Sequence, residues 1–447
     1  MNAPPSRSLL AIVAVMLGAL LVTLDISFMY TAVPAISRAL HETPATSVWV
    51  VNAYHLALVA AVVPLAALGE AIGHRRVHVA GALVYTASLL LCGLADSLAT
   101  LVAARALQGL GAAAIVSVTA ALVRFVYPLQ SLGRGLGLYA FIVSFSLAVG
   151  PTLASTILTF LSWNWLFFLA VPLGASTFVL GRRFLPETAP GGHGFDPVCA
   201  LLSAAFFSLF TFGLGQAAQG VSWIQVALLW AASALCCLLL LRRQAGHPAP
   251  MLAVDLFRLP VFALSSLTSI LSFVTQGLAF VALPFLFQNI MGWSQMAAGL
   301  LMSPWPVVLT ILSVPVGRLS DRWPPGLLGG IGLGSLALGM GLLAVMPKDA
   351  AAWDIGWRMV LCAAGFSLFQ TPNINALMSS APAERSGGAS GIVATSRMLG
   401  QAIGVALAGA SFRASPEQGP VIALWLASGS ALAASAASLL RMSFARR

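Results

Sequence analysis

The sequence predicts an all-α polytopic membrane protein of fourteen transmembrane helices, two six-helix bundles with two extra central helices between them. Three observations predict it. First, 59% of the 447 residues are hydrophobic and 8% charged, with a mean hydropathy of +0.95. Soluble proteins carry about 25% charged residues, so this chain has too few charges to cover a water-facing surface. Second, the apolar residues fall in continuous runs of about 20, the length that crosses a bilayer as helix. A β-barrel would show short alternating segments instead. Third, Arg is concentrated in every second connection between the runs.

The first run, 9–34, continues from Leu9 to about Pro34. A secretory signal has an apolar core of about 7–15 residues, so the run reads as an uncleaved first membrane helix. The second and third, 48–68 and 77–95, are joined by "LGEAIGHRR" (Leu68–Arg76). The fourth, 100–122, carries Arg105 and then Gly109, Gly111, Ala112, Ala113 and Ala114, small residues that let helix backbones approach closely. The fifth, 136–159, holds Gly150-Pro151 at mid-length, and the sixth, 164–181, ends at Arg182 and Arg183. "GRRFLPETAPGGHGFD" and "LRRQAGHPAPMLAVDLFRLP" flank the seventh and eighth runs, 198–215 and 222–241, and their Gly, Pro and charge content reads as linkers. Six more runs follow at 261–287, 296–316, 325–346, 356–378, 391–412 and 419–440. "GRLSDRW" (Gly317–Trp323) after the tenth stands where Leu68–Arg76 stands after the second. This repetition divides the chain into bundles at 1–184 and 261–447 around two linker-region helices at 185–260.

Cytoplasmic connections are enriched in Lys and Arg. With the N-terminus inside, the inside segments hold Arg7, Arg75, Arg76, Arg124, Arg134, Arg182, Arg183, Arg242, Arg243, Arg258, Arg318, Arg322, Arg385, Arg441, Arg446 and Arg447. The outside segments hold Arg38, Lys348, Arg358 and Arg413. Both termini are therefore expected in the cytoplasm, in a cell (inner) membrane. The same asymmetry accounts for the formal charge of +10 without a nucleic-acid partner.

Several chemistries find no support. Cys92, Cys199, Cys236, Cys237 and Cys362 show no CxxC or Cys/His metal spacing and read as small packing residues. The GLGAAA and GLGLYA strings follow no strand, and no GxxxxGK[ST] occurs, so neither dinucleotide nor P-loop binding is expected. No nucleophile–base or metal constellation is found. The expectation is no enzyme, no catalytic residue, no metal and no cofactor.

Asp25 is the one acidic residue placed well inside the bilayer, where an ionised group costs at least ~3 kcal/mol. It lies about 13 Å below the outer end of the first helix, and Arg105 about 8 Å in from the outer end of the fourth. The depths are similar and Arg is long, so the two can pair. One reading is a structural ion pair. The other is a titratable site, since burial raises a carboxylate pKa and a nearby Arg lowers it.

Four segments resemble the fourteen-helix drug:proton antiporter family of the major facilitator superfamily. They are "LDISFMYTAVPAI" (Leu24–Ile36) in the first helix, "ALGEAIGHRR" (Ala67–Arg76), "RALQGLGAA" (Arg105–Ala113) in the fourth, and "SLAVGPTLAS" (Ser146–Ser155) in the fifth. "PAERSGGASGIVATSRMLGQAIG" (Pro382–Gly404) is similar to the family's thirteenth-helix start, and "WVVNAYHLAL" around Tyr54 is similar too. The loop motif departs from the family form at Ala66, Glu70 and Ala71, while Gly317, Asp321 and Arg322 keep closer to it.

The resemblance implies proton-coupled export of drugs or toxic lipophilic, cationic compounds by alternating access, with a small-molecule substrate, protons and the bilayer as partners. A monomer is the expected functional unit. A carrier of one specific metabolite is the alternative, and a membrane enzyme or scaffold a remote one. In this picture Asp25, Arg105 and Tyr54 couple proton and substrate. Asn52, Gln108, Tyr139, Gln276, Trp305, Gln370 and Asn373 are cavity candidates for which plain helix packing reads equally well. Glu70, Gly73 and Arg75, with Gly317, Asp321 and Arg322, form a conformational gate or are solvated loop residues. Gly150 and Pro151 bend the fifth helix or are simply accommodated there.

Overall fold

The computed structural model describes residues 5–127, 132–188, 195–218, 220–244, 254–320, 322–381 and 386–445. Among them the regular structure is helical throughout, with no strand. The elements are α1 (Pro5–Ala39), α2 (Pro44–Ser47), α3 (Trp49–Ile72), α4 (His74–Gly93), α5 (Leu98–Val126), α6 (Leu132–Phe160), α7 (Trp165–Phe168) and α8 (Val171–Phe184). The extra pair is α9 (Pro197–Ala218) and α10 (Trp223–Gln244). Then come α11 (Pro260–Phe285), α12 (Gln295–Met302), α13 (Pro304–Ser320), α14 (Pro325–Ala344), α15 (Ala352–Ser380), α16 (Ser386–Ala414) and α17 (Gly419–Ala445).

Among the described residues thirteen helical spans are long and apolar enough to cross a membrane. Three of them join a short helix to the longer one that follows it: α2 to α3, α7 to α8, and α12 to α13. The fourteenth expected span, 356–378, is α15. Its 29 residues reach about 43 Å, but Gln370, Asn373 and Asn375 lower its hydropathy. Polar side chains are tolerated in such a helix when they bond across to neighbours, as Asn373 does below.

Contacts group the chain into two units. One comprises Met1–Glu42, Trp49–Phe212 and Ala227–Gly246; the other comprises Thr43–Val48, Gly213–Val226 and His247–Arg447. Inside the first, α5 packs on α3 and α4, α1 on α6 and α8, and α4 on α8. Inside the second, α15 packs on α13 and α14, α11 on α16 and α17, and α14 on α17. Numbering each bundle's membrane helices from one to six, both use the same pairings: two with four, three with four, one with five, one with six, and three with six. The repeat that two loop motifs suggested is thus carried through the packing of each unit.

The extra helices contribute to both units. At one end, in the first unit, Arg243 Nε donates to Asp196 Oδ2 at 2.8 Å, and that guanidinium holds the Asp196 carboxyl well below the usual carboxylate range. At the other end, in the second unit, Gly220 adopts φ +68°, a left-handed conformation that favours glycine. An added Cβ there would run into the guanidinium of Arg413.

Local chemistry sets the helix starts. Ser97 and Thr100 form a reciprocal capping box at α5, each hydroxyl accepting from the other's backbone N–H, at 3.3 and 3.2 Å. This fixes the start of the helix that carries Arg105. Small residues then set lateral spacing. A Cβ on Gly109 would stand 2.4 Å from the Tyr54 carbonyl oxygen, so α5 and α3 meet backbone to backbone. The same closeness holds in the second unit, where Cβ atoms on Gly400 and Gly404 would stand 2.4 Å from the Ile270 and Val274 carbonyl oxygens.

Candidate functional site

Arg105 and Gln108 are three residues apart on α5, so they share a face one above the other. That face meets Asp25 of α1. Arg105 Nη1 donates to Asp25 Oδ2 at 2.7 Å and to Gln108 Oε1 at 2.6 Å. Gln108 Nε2 donates to Asp25 Oδ1 at 3.1 Å, so the amide closes a ring between cation and anion. The close α3–α5 approach supplies two further contacts. Arg105 Nε donates to the Val50 carbonyl at 3.2 Å, and its guanidinium carbon lies 4.4 Å from the Tyr54 ring centroid, a cation–π distance. Phe167 of α7 approaches the same guanidinium at 6.0 Å.

The group is sealed: Asp25 is 4% exposed, Arg105 1%, Gln108 0% and Tyr54 0%. Among the described residues Asp25 is the one buried carboxylate. Removing one partner of a buried ion pair leaves an uncompensated charge and typically costs about 3–5 kcal/mol. Each partner here also has neutral hydrogen bonds, which reduces the charge that stays unsolvated.

The other expected residues divide. Asn52 is buried on α3, and its Oδ1 has no hydrogen-bond partner among the described residues. Tyr139 is half-buried against the apolar cluster around Ala14, Val118 and Leu122, two to three helix turns from Asp25 along α1, and is not brought to the network. Gly150 of α6 lies directly on α1: an added Cβ would stand 2.2 Å from Ser27 Oγ. Pro151 sits inside α6, which continues through it. In the second unit Gln276 Oε1 accepts from Gln401 Nε2 at 3.0 Å. Trp305 is 1% exposed between Phe280 and Phe366, at ring separations of 5.3 and 5.8 Å, and Gln370 is half-buried.

Asn373 belongs to a cluster that sequence reasoning missed. Its Nδ2 donates to the Ser265 carbonyl at 3.1 Å and to Ser269 Oγ at 2.9 Å, and its Oδ1 accepts from Arg441 Nη1 at 2.8 Å. Arg441 Nη1 also donates to Ser265 Oγ at 2.6 Å. Arg441 reads from the sequence as an inside-loop cation. The structure instead buries it within α17, 2% exposed, held by neutral acceptors. Both units thus tie their first and fourth membrane helices by polar side chains: a charged tie in one, an amide–hydroxyl tie in the other. The available signal was Asn373 inside an expected membrane helix and Arg441 directly at the end of another.

The loop motif also finds partners. Gly73 adopts φ +102°, and a Cβ there would stand 2.8 Å from the Thr188 carbonyl oxygen. Arg75 Nη1 bonds to Glu187 Oε1 at 3.2 Å, and its Nη2 donates to the Arg182 carbonyl at 2.5 Å. The carboxylate that meets Arg75 is therefore Glu187, while Glu70 is exposed at the end of α3. Gly317 has open space around it, Arg322 is exposed, and Asp321 lies outside the described residues. Glu187 is largely exposed, and exposed pairs contribute at most about 1 kcal/mol. Glu187→Gln is accordingly expected to leave thermal stability nearly unchanged, whereas Gly73→Ala lowers it clearly, through both positive φ and contact with Thr188. Unfolding midpoints of the purified protein check the contrast.

The sequence pattern of the Major Facilitator Superfamily matches residues 15–405. The chain belongs to that superfamily. It is 42% identical over 434 residues to the uncharacterized transporter YebQ of Escherichia coli, covering 97% of this chain and 95% of that one. It is 30% identical over 413 residues to the multidrug efflux pump LfrA of Mycolicibacterium smegmatis, covering 92% and 82%. The solved structure of the POT family transporter PepTSo aligns with a TM-score of 0.72 at 15% identity, covering 100% of this chain and 99% of that one, a likeness of fold. As a major facilitator protein the chain is a multi-pass membrane transporter for small molecules, not a member of an enzyme family.

Proposed function

We propose that the protein exports toxic lipophilic compounds, cationic ones foremost, across the inner membrane in exchange for protons, with Asp25 as the coupling carboxylate. The observation that carries this reading is the sealed ring of Asp25, Arg105 and Gln108. A tie between first and fourth helices can be made by neutral side chains, as Asn373 makes it to Ser265 and Ser269; a carboxylate there adds desolvation and adds a group that can be protonated. The likeness to LfrA, named as a multidrug efflux pump, supports drugs as the substrate class.

In this reading both termini are cytoplasmic, the protein works as a monomer, and access to Asp25 alternates between the two aqueous sides. From the cytoplasm the ionised carboxylate attracts a cation. Facing outward, a proton forms an O–H bond on Asp25, the negative charge is lost, and the cation leaves. Gly73 and Arg75, packed on residues 182–188, act in closing the cytoplasmic side.

One carboxylate exchanges one proton for one monovalent cation, so no net charge crosses. The membrane potential, about 2.3 kcal/mol per net charge per 100 mV, then contributes nothing, and each pH unit supplies about 1.4 kcal/mol. In inverted vesicles with an acid lumen, a monovalent lipophilic dye should enter as protons leave. A potential imposed without a pH gradient should not move it. Dye movement without proton release would replace this reading with uniport or another coupling ion.

A further inference from the structure

A second titratable group lies beside this site. His55 of α3 is 1% exposed and Tyr30 of α1 is 2% exposed, and the Tyr30 hydroxyl and His55 Nε2 lie 3.1 Å apart. The His55 ring stands edge-on to Tyr54 at 5.7 Å, and Tyr54 in turn underlies Arg105. Along α1, Tyr30 is five residues beyond Asp25, about 8 Å, toward the end that carries Arg38. Along α3, His55 is six residues from Trp49, about 9 Å from the start of that helix. Both residues therefore lie between Asp25 and the side that the arginine distribution assigns to the outside. Titratable and charged groups around the pair include Asp25 on α1, Tyr54 on α3, Tyr85 on α4 and Arg105 on α5.

We infer that His55 and Tyr30 form an outward-side proton relay that loads Asp25, an inference that rests on the proposed proton exchange. A hydrogen bond to tie α1 to α3 does not need an imidazole. Imidazole is the side chain whose ordinary pKa, about 6.5, lets it take up and release protons near neutral pH. In the relay, once the outer side opens, one ring nitrogen of His55 gains a proton from a hydronium ion there, and the imidazolium gives up the proton on its other nitrogen. The Tyr30 oxygen accepts that proton as its own O–H proton passes on through water to an Asp25 carboxylate oxygen. One hydronium O–H breaks, one N–H forms and one breaks, one tyrosine O–H forms and one breaks, and an Asp25 O–H forms. His55 and Tyr30 return to neutrality, and the ion pair with Arg105 opens.

The test uses the full-length protein in inverted vesicles, whose lumen is the outer side. Dye uptake is measured at a fixed bath pH while the lumenal pH is varied from 5 to 8. Dye–dye exchange without a pH gradient serves as a second readout, since it needs no proton turnover. His55→Gln keeps hydrogen bonding and loses titration. It should match the wild type within about twofold at lumenal pH 5, where protons reach Asp25 without the relay. At pH 7.5 it should be at least about tenfold slower, a change of about 1.4 kcal/mol in barrier, with dye–dye exchange unchanged. Tyr30→Phe keeps the ring, removes the relay hydroxyl and should behave alike; its pH profile is the deciding one if His55→Gln fails to reach the membrane. A variant-to-wild-type ratio that stays constant across pH, including no change at all, overturns the relay. A parallel fall in dye–dye exchange also overturns it. Failure of the underlying exchange looks different: the wild type itself would release no protons, or Asp25→Asn would couple normally.

Discussion

Asp25→Asn is expected to abolish dye-dependent proton movement at every pH, because an amide takes no proton in this range. It should also lower stability. Arg105 keeps its bonds to Gln108 Oε1 and the Val50 carbonyl but loses its only anion among the described residues. Breaking a buried pair on one side costs about 3–5 kcal/mol, most of it the charge left behind. The double variant Asp25→Asn/Arg105→Gln removes both charges and should recover much of that stability, yet regain no coupling. The two measurements separate the roles. Unfolding midpoints follow the charge balance, whereas proton release in vesicles follows the carboxylate. Coupling that survives in Asp25→Asn would make the pair structural and move the search for the proton site elsewhere.

The second large effect is expected at Gly150→Ala. The new Cβ would lie 2.2 Å from Ser27 Oγ and 2.5 Å from Ser27 Cβ. A hydroxyl can rotate away, but Cβ cannot, so α1 must shift from α6 only two residues from Asp25. Overpacking of this kind costs about 1–3 kcal/mol, and the shift falls where the bonds to Arg105 and Gln108 are made. Ser27→Gly removes both obstructing atoms. Alone it should weaken the helix by no more than about 1 kcal/mol; combined with Gly150→Ala it should restore transport and stability together. If the pair stays inactive while Pro151→Ala alone abolishes transport, the Gly-Pro segment acts through the helix bend and not through the contact with α1.

How much of the site was legible follows from what a helical sequence encodes. A rise of 1.5 Å per residue converts position into depth, so Asp25 and Arg105 could be matched before any tertiary information. The three-residue spacing of Arg105 and Gln108 put both on one face of a helix, and the small residues that follow them implied a close neighbour. The loop motif, by contrast, grouped Glu70 with Arg75 as gate or solvated loop residues and named no carboxylate that meets Arg75. The chain turns back at the end of α8 and brings Glu187 to Arg75.

By itself the sequence determined the membrane as solvent, the number of apolar runs and the six-plus-two-plus-six order of the helices. Length, hydropathy and helical rise are properties of single segments, so they can be read one segment at a time. Only the tertiary structure decided which side chains meet laterally: Gln108 bridging Asp25 and Arg105, Gly150 against Ser27, Tyr30 on His55, and Arg441 drawn into α17 by Asn373 and Ser265. Lateral neighbours depend on how helices far apart in sequence rotate and pack against one another. No periodicity within one helix encodes that rotation, because it is set jointly by the small residues and polar groups of both partners.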